Sequence, residues 1–364
     1  MATATRRRIW APTVSLLMFL TLPAFAQTDA NTDPDDSTVQ PLFVNQATLA
    51  VRIEAPFTTL MRERSDTVQY DGTLSFTDSS GAERTLDVKL RTRGIYRRKA
   101  DTCEFAPIRL NFKKKQVMGS EFAGQDKLKL VTHCENRSDT YEQYVLREYL
   151  AYKIFNALTE YSFGARLLHA TYVDSDRDGE SRTRYAFVIE DNDLLAERIG
   201  GQKVEVPTAE YSRLDRSQAN LVAVFQYLIG NTDYSMIRPD KDKDCCHNTE
   251  LFSIAPDQYI PVPYDFDFSG IVDARYAEPH PSLNMRSVTR RRYRGICENN
   301  DVMDATLAQF RSNEAAIKQA VSSIDGMDDR SREKALRYID GFYGDIADAK
   351  SVERNLVKKC YSAN

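Results

Sequence analysis

From residue 47 onward, apolar and polar side chains alternate with a period of two. The pattern runs through VRIEAPF, TVQYDGTLSFTD, RTLDVKLRTRG, APIRLNFK and KLKLVT, broken by Asp-Gly, Ser-Ser-Gly and other Gly-bearing turns. Alternation puts successive side chains on opposite faces of an extended chain, so these segments predict strands with one apolar face, most simply in an antiparallel sheet. At Asp139 the period changes. In SDTYEQYVLREYLAYKIFNALT the residues Tyr144, Val145, Tyr149, Ala151, Tyr152, Phe155 and Leu158 fall on one side of a helix that Ser138 or Asp139 can cap. Two further strands, ARLLHATYVDS and RTRYAFVIED, flank the turn DSDRDGES. Asp174, Asp176 and Asp178 open like a calcium loop, but the twelfth position is Tyr185 where a bidentate Glu is needed, so the segment reads as a solvated hairpin.

Beyond Gly200-Gly201 the pattern becomes helical. LDRSQANLVAVFQYLIG ends at Gly230, polar loops then surround two short apolar strands in LFSI and YIPVPYDFDF, and helical stretches from Asp301 onward predict a packing buttress. The order of sheet, helix, two strands and helical part implies an α+β chain of two lobes with a cleft between them. The expected organisation is an export signal over 1–26, a flexible leader over 27–46, a sheet-rich lobe over 47–195, a second lobe carrying the polar loops over 196–300, and a helical extension over 301–364.

Composition adds the compartment. The first 26 residues join Arg6, Arg7 and Arg8 to an apolar run and an Ala24-Phe25-Ala26 exit, the form of a secretory signal. Removing it, with its three Arg and no acidic residue, takes the formal charge from −4 to −7. No other stretch is long and apolar enough to cross a bilayer, so no stable membrane insertion is expected and the protein is placed in the periplasm or outside the cell. Net acidity and export disfavour nucleic acid. All six cysteines follow the signal, which favours disulfides over zinc, and Cys245 and Cys246 are expected to pair with different distant partners.

The strongest chemical signal is Gly230-Asn231-Thr232-Asp233 followed by Pro263-Tyr264-Asp265-Phe266-Asp267-Phe268. Acids separated by a hairpin can converge at one of its ends, and oxygen donors beside a Gly-ended helix suit a hard divalent cation. The YDFDF alternation would put both Asp side chains on one strand face. The competing account makes Asp233 a turn cap and Asp265 and Asp267 ordinary strand-end acids. Asn248 adds a neutral oxygen from the intervening loop. His133 and His169 read as packing residues. The run Arg290 to Arg294 reads equally as a solvated turn or as a patch for an acidic substrate.

The succession RTRG, VLREYLAYKIFNAL, YAFVIED, YLIGNTD, HNTELF and PVPYDFDFSG resembles the atypical secreted kinases of the spore-coat CotH family, and more loosely the HipA-like kinases, over roughly residues 50 to 275. The resemblance implies a bilobal protein-kinase-like fold with an antiparallel-sheet N-lobe holding one helix and a mostly helical C-lobe. It implies ATP with Mg²⁺ or Mn²⁺, and transfer of the γ-phosphoryl group to a protein or carbohydrate hydroxyl. Asp233 would be the catalytic aspartate, Asp265 and Asn248 the metal ligands, and Asp267 a second metal candidate. Lys129 would bind nucleotide and pair with Glu148, Arg93 or Arg109 would meet phosphates, and Glu190 would lie at the hinge. The alternatives are a kinase-like binding or assembly protein without activity, and a metal-dependent hydrolase.

Overall fold

A computed structural model describes residues 1–3, 40–239 and 243–362 of the chain. The expected export signal falls almost wholly outside that set, as do residues 27–39 of the expected leader. The alternating segments form β1 (Leu49–Ala55), β2 (Tyr70–Thr77), β3 (Glu83–Thr92), β4 (Ile108–Phe112), β5 (Lys127–Val131), β6 (Ala165–Asp174) and β7 (Glu180–Ile189). Neighbouring strands pair antiparallel except β1 and β6, which run parallel from Leu49 opposite Leu168 to Ala55 opposite Asp174. That pairing joins the two ends of the sheet, and the order β1-β2-β3-β4-β5-β7-β6 closes into a barrel.

The expected bilobal kinase-like fold with an open antiparallel N-lobe is therefore corrected: the sheet is mixed and closed. The physical reason lies in what alternation encodes. A period of two marks the apolar face of a strand in parallel and antiparallel pairings alike. It holds no record of which distant strand covers an edge, and the partner of β1 arrives only after the intervening helix.

Inward rows such as Val51 and Ile53, Leu74 and Phe76, Val88 and Leu90 fill the barrel. On β6 and β7 the outward face is apolar too, and Leu167, Phe187 and Ile189 pack into a second core with α4 (Asp139–Leu158). Helix α4 was expected to bury one face. Enclosed between the barrel and the helical part, it buries residues around most of its circumference, including Arg147 and Glu148. Two short helices, α2 (Phe57–Glu63) and α3 (Lys114–Val117), connect strands.

The chain already belongs to the fold at α1 (Pro41–Val44), inside the expected leader. Leu42 is fully buried, and its carbonyl accepts Arg166 Nη1 at 3.0 Å. The described residues from 40 onward form one compact unit. Its helical part contains α5 (Asn192–Arg198), α6 (Arg216–Ile229), α7 (Met303–Ser312), α8 (Glu314–Ser322), α9 (Asp329–Asp345) and α10 (Ala349–Asn355). A small sheet of order β10-β9-β8 joins β8 (Gln202–Val204), β9 (Thr249–Ala255) and β10 (Gln258–Pro263). Asp215 caps α6 by accepting the Gln218 N–H at 2.7 Å.

Three disulfides are present. Cys103 pairs with Cys134, Cys297 with Cys360, and Cys245 with Cys246. The last corrects the expectation of distant partners: the other four cysteines are committed to each other, which leaves the two neighbours together. Among the described residues no helix is long and apolar enough to cross a membrane.

Candidate functional site

Helix α6 delivers the first site residue. It stops at Gly230, where the backbone turns left-handed (φ 68°) and an added Cβ would collide with Tyr338 Oη. Asn231 Oδ1 then accepts the Asp233 N–H at 2.9 Å, and Arg294 grips the carbonyls of Thr232 and, at 2.8 Å, Tyr234. The Arg290 to Arg294 run is thus partly a clamp on this loop. Asp233 is held at both oxygens: His247 Nε2 lies 2.7 Å from Oδ1, and Asn248 Nδ2 donates to Oδ2 at 3.1 Å and to the Asp233 carbonyl at 2.8 Å.

The β9–β10 hairpin returns the chain to the same place. Tyr264 N–H donates to the Asn248 carbonyl at 3.1 Å, and Asp265 N–H donates to Tyr152 Oη on α4 at 3.0 Å. Strand β10 ends at Pro263, and Asp265 takes a left-handed conformation (φ 60°). The expected strand face carrying both acids is therefore corrected. The side chain of Asp265 is 39% exposed whereas that of Asp267 is 7% exposed, so one meets solvent and the other the interior.

Interior charge centres on Arg97. Its Nε lies 3.2 Å from Asp267 Oδ2, and its Nη2 lies 3.3 Å from Glu148 Oε2 and 3.8 Å from Asp265 Oδ1. One cation faces three carboxylates. Burial, opposed by Arg97, holds the Glu148 carboxyl well above the usual carboxylate range; Asp267 is raised in the same way, also by burial first. Tyr276 adds a hydrogen bond to Asp267. Neither oxygen of Glu148 accepts a hydrogen bond among the described residues. This overturns the expected pairing of Glu148 with Lys129, because the loop after β3 carries Arg97 into the position that the lysine was expected to fill.

Lys129, on β5, lies over the rings of Tyr264 at 5.0 Å and Phe163 at 5.7 Å. Burial and then the nearby Arg93 push its ammonium down to about 8. Neither Lys129 nor Arg93 makes an ion pair among the described residues. Arg109 is opposite Lys129 in the barrel but pairs with Asp191 at 3.3 Å. Glu190, expected at a hinge, is a buried tie: it binds Arg198 at 2.8 Å and accepts the Gly164 N–H at 2.8 Å.

A cleft of about 350 Å³ is lined by Arg93, Arg97, Asp233, Asn248, Asp265 and Asp267. Among the described residues no group of three or more His, Cys, Asp or Glu is arranged to hold a metal. A resident cation caged wholly by protein does not fit. Mg²⁺ commonly uses one or two carboxylates and takes its remaining ligands from phosphate and water. The exposed carboxylate of Asp265 and the amide oxygen of Asn248, whose nitrogen is committed to Asp233, fit that mode.

Three participants carry no distinguishing signal in the sequence. His247 stands between Cys246 and Asn248, and nothing in the sequence singles it out as a partner of Asp233. Arg97 lies with Arg98 and Lys99 in a basic run whose charge suits phosphate as well as solvent, and Tyr152 falls on the apolar face of its helix. The comparisons add no relative: no protein-family model and no curated protein matches this chain.

Proposed function

We propose that this protein is an ATP-dependent kinase of an extracytoplasmic compartment, using a divalent metal to move the γ-phosphoryl group onto a hydroxyl of a protein Ser or Thr or of another acceptor. The observation that carries the reading is the meeting of Asp233, Asn248 and Asp265 in one cleft with Arg93, which has no ion pair among the described residues. Three disulfides support an oxidising compartment. The reading rests on these side chains and not on the barrel.

In this scheme Asp233 orients the acceptor hydroxyl and takes its proton. The hydroxyl oxygen bonds to the γ-phosphorus, and the bond from that phosphorus to the bridging oxygen breaks, its electron pair leaving with ADP. Held by Asp265 and Asn248, Mg²⁺ or Mn²⁺ would neutralise phosphate charge. Arg93 and, while its ammonium remains protonated, Lys129 supply the positive charge that an acidic protein must concentrate locally to bind a polyanion.

The test is incubation of purified protein with γ-labelled ATP and Mg²⁺ or Mn²⁺. Label on the protein itself or on an added acceptor supports the reading, and absence of nucleotide binding overturns it. One observation favours a second reading, a nucleotide-binding module without transfer: Glu148 is engaged by Arg97 at 3.3 Å and not by Lys129. Binding of nucleotide without any labelled product would select it.

A further inference from the structure

Helix α4 carries a second charged side chain inward, one residue before Glu148. Arg147 is 4% exposed. Its Nε donates to the Gln143 carbonyl of its own helix at 3.3 Å, and its guanidinium lies over the Tyr144 ring at 5.2 Å. Its Nη1 is buried without a hydrogen-bond partner among the described residues. No carboxylate forms an ion pair with it among the described residues. A guanidinium withdrawn from water is ordinarily met by a carboxylate or phosphate that uses its planar fork.

Arg147 lines a cavity of about 590 Å³ that shares no lining residue with the Asp233 cleft. Arg275, Arg286, Arg330 and Lys334 line it as well, and of these only Lys334 is in an ion pair among the described residues, with Asp273. The neighbouring acids leave this positive charge largely uncancelled. Asp273 is taken by Lys334, and Asp328 caps α9 by accepting the Ser331 N–H at 2.6 Å. Glu278 lies exposed at the rim. Arg330 and Ser331 sit in the first turn of the 17-residue α9, whose N-terminus adds positive partial charge.

We propose that this cavity is an anion site for the phosphate-type oxyanion of a small ligand, with Arg147 as the buried anchor and Arg275, Arg286 and Arg330 supplying charge at the rim. It stands next to the cleft through shared supports. Helix α4 sends Arg147 to the cavity and Glu148 to Arg97, and Tyr276, which hydrogen-bonds Asp267, lies between the cavity residues Arg275 and Ala277.

The experiment is calorimetric titration of the full chain with inorganic phosphate in the absence of nucleotide, so its outcome does not depend on phosphoryl transfer. The expected result is saturable binding that Arg147→Gln weakens about tenfold or more and that the exposed-rim variant Arg286→Glu weakens about fivefold, while Arg337→Ala, at an exposed arginine outside both the cavity and the cleft, leaves it unchanged. If Arg147→Gln fails to fold, Arg286→Glu decides, because its side chain is at the surface. The proposal is overturned by absence of binding up to about 10 mM phosphate, or by binding that Arg93→Ala abolishes and the cavity variants leave intact.

Discussion

His247 Nε2 lies 2.7 Å from Asp233 Oδ1, and Asn248 fixes the other carboxylate oxygen at 3.1 Å. Gripped at both ends, the carboxylate is fixed in orientation while keeping lone pairs for a hydroxyl. Asp233→Asn exchanges one of those acceptors for a donor at nearly constant shape. Phosphoryl transfer is expected to fall by about 10³, the usual weight of a positioned base, with little change in nucleotide affinity. His247→Gln keeps a donor and should lose less than His247→Leu. Equal losses in the two His247 variants, measured as kcat, would count against a positioning role.

The Arg97 cluster ties stability to pH. Burial raises Glu148 and Asp267 in the folded chain above their unfolded values. The folded state therefore holds more protons than the unfolded state once pH exceeds about 4.5, and unfolding free energy falls as pH rises through the folded values. A thermal midpoint that declines from mildly acid pH upward is the expected result. Arg97→Met leaves the carboxylates without their cation and should cost about 3–5 kcal/mol, more at high pH than at low pH. Binding of Mg²⁺ with ADP should release a proton, visible as a binding enthalpy that changes with the ionisation enthalpy of the buffer.

Lys129 gives a second titration of opposite meaning. Burial and Arg93 hold its ammonium down at about 8, so it loses its charge well before an exposed lysine does. Nucleotide affinity should weaken as pH rises from about 7 to 9. Lys129→Arg, charged throughout that range, should remove the inflection, whereas Lys129→Met should lower affinity at every pH. An unchanged pH profile in Lys129→Arg would show that the lysine does not meet phosphate.

What the sequence conveyed follows from what its patterns physically encode. The segments around Val51, Leu74, Val88, Leu110 and Leu128 alternate because each strand has a core face, so all five strands were readable. Closure through β1 and β6 was not, since Leu49 and Leu168 read the same beside any apolar neighbour. The approach of Asn248 and Asp265 was readable because the short β9–β10 hairpin lies between them, whereas Asp233 meets Asn248 across a loop without helix or strand among its described residues, through hydrogen bonds that no pattern announces. The partner of Glu148 was not readable either, for two reasons. Arg93, Arg97 and Lys129 are alike in charge along the chain, and only the path of the loop after β3 brings Arg97 to within 3.3 Å.

The disulfides divide the chain into parts whose stability can be tested separately. Cys103–Cys134 closes a separation of 31 residues on the barrel side, tying the loop after β3 to the strand-end bridge of Phe105 with Cys134. Cys297–Cys360 closes 63 residues and fastens the C-terminal segment beside the bridge of Ile296 with Tyr361. Loop-closure entropy gives each about 4 kcal/mol, slightly more for the longer loop. The Cys245–Cys246 bond closes no such loop. Cys297→Ser with Cys360→Ser should therefore lower unfolding free energy by several times the effect of Cys245→Ser with Cys246→Ser. The vicinal pair instead stands beside His247 and Asn248, so its double variant should show its larger effect on transfer rate. Denaturant midpoints and initial rates on the same two double variants separate these effects; a vicinal variant that loses stability but keeps full rate would break the assignment of that loop to the site.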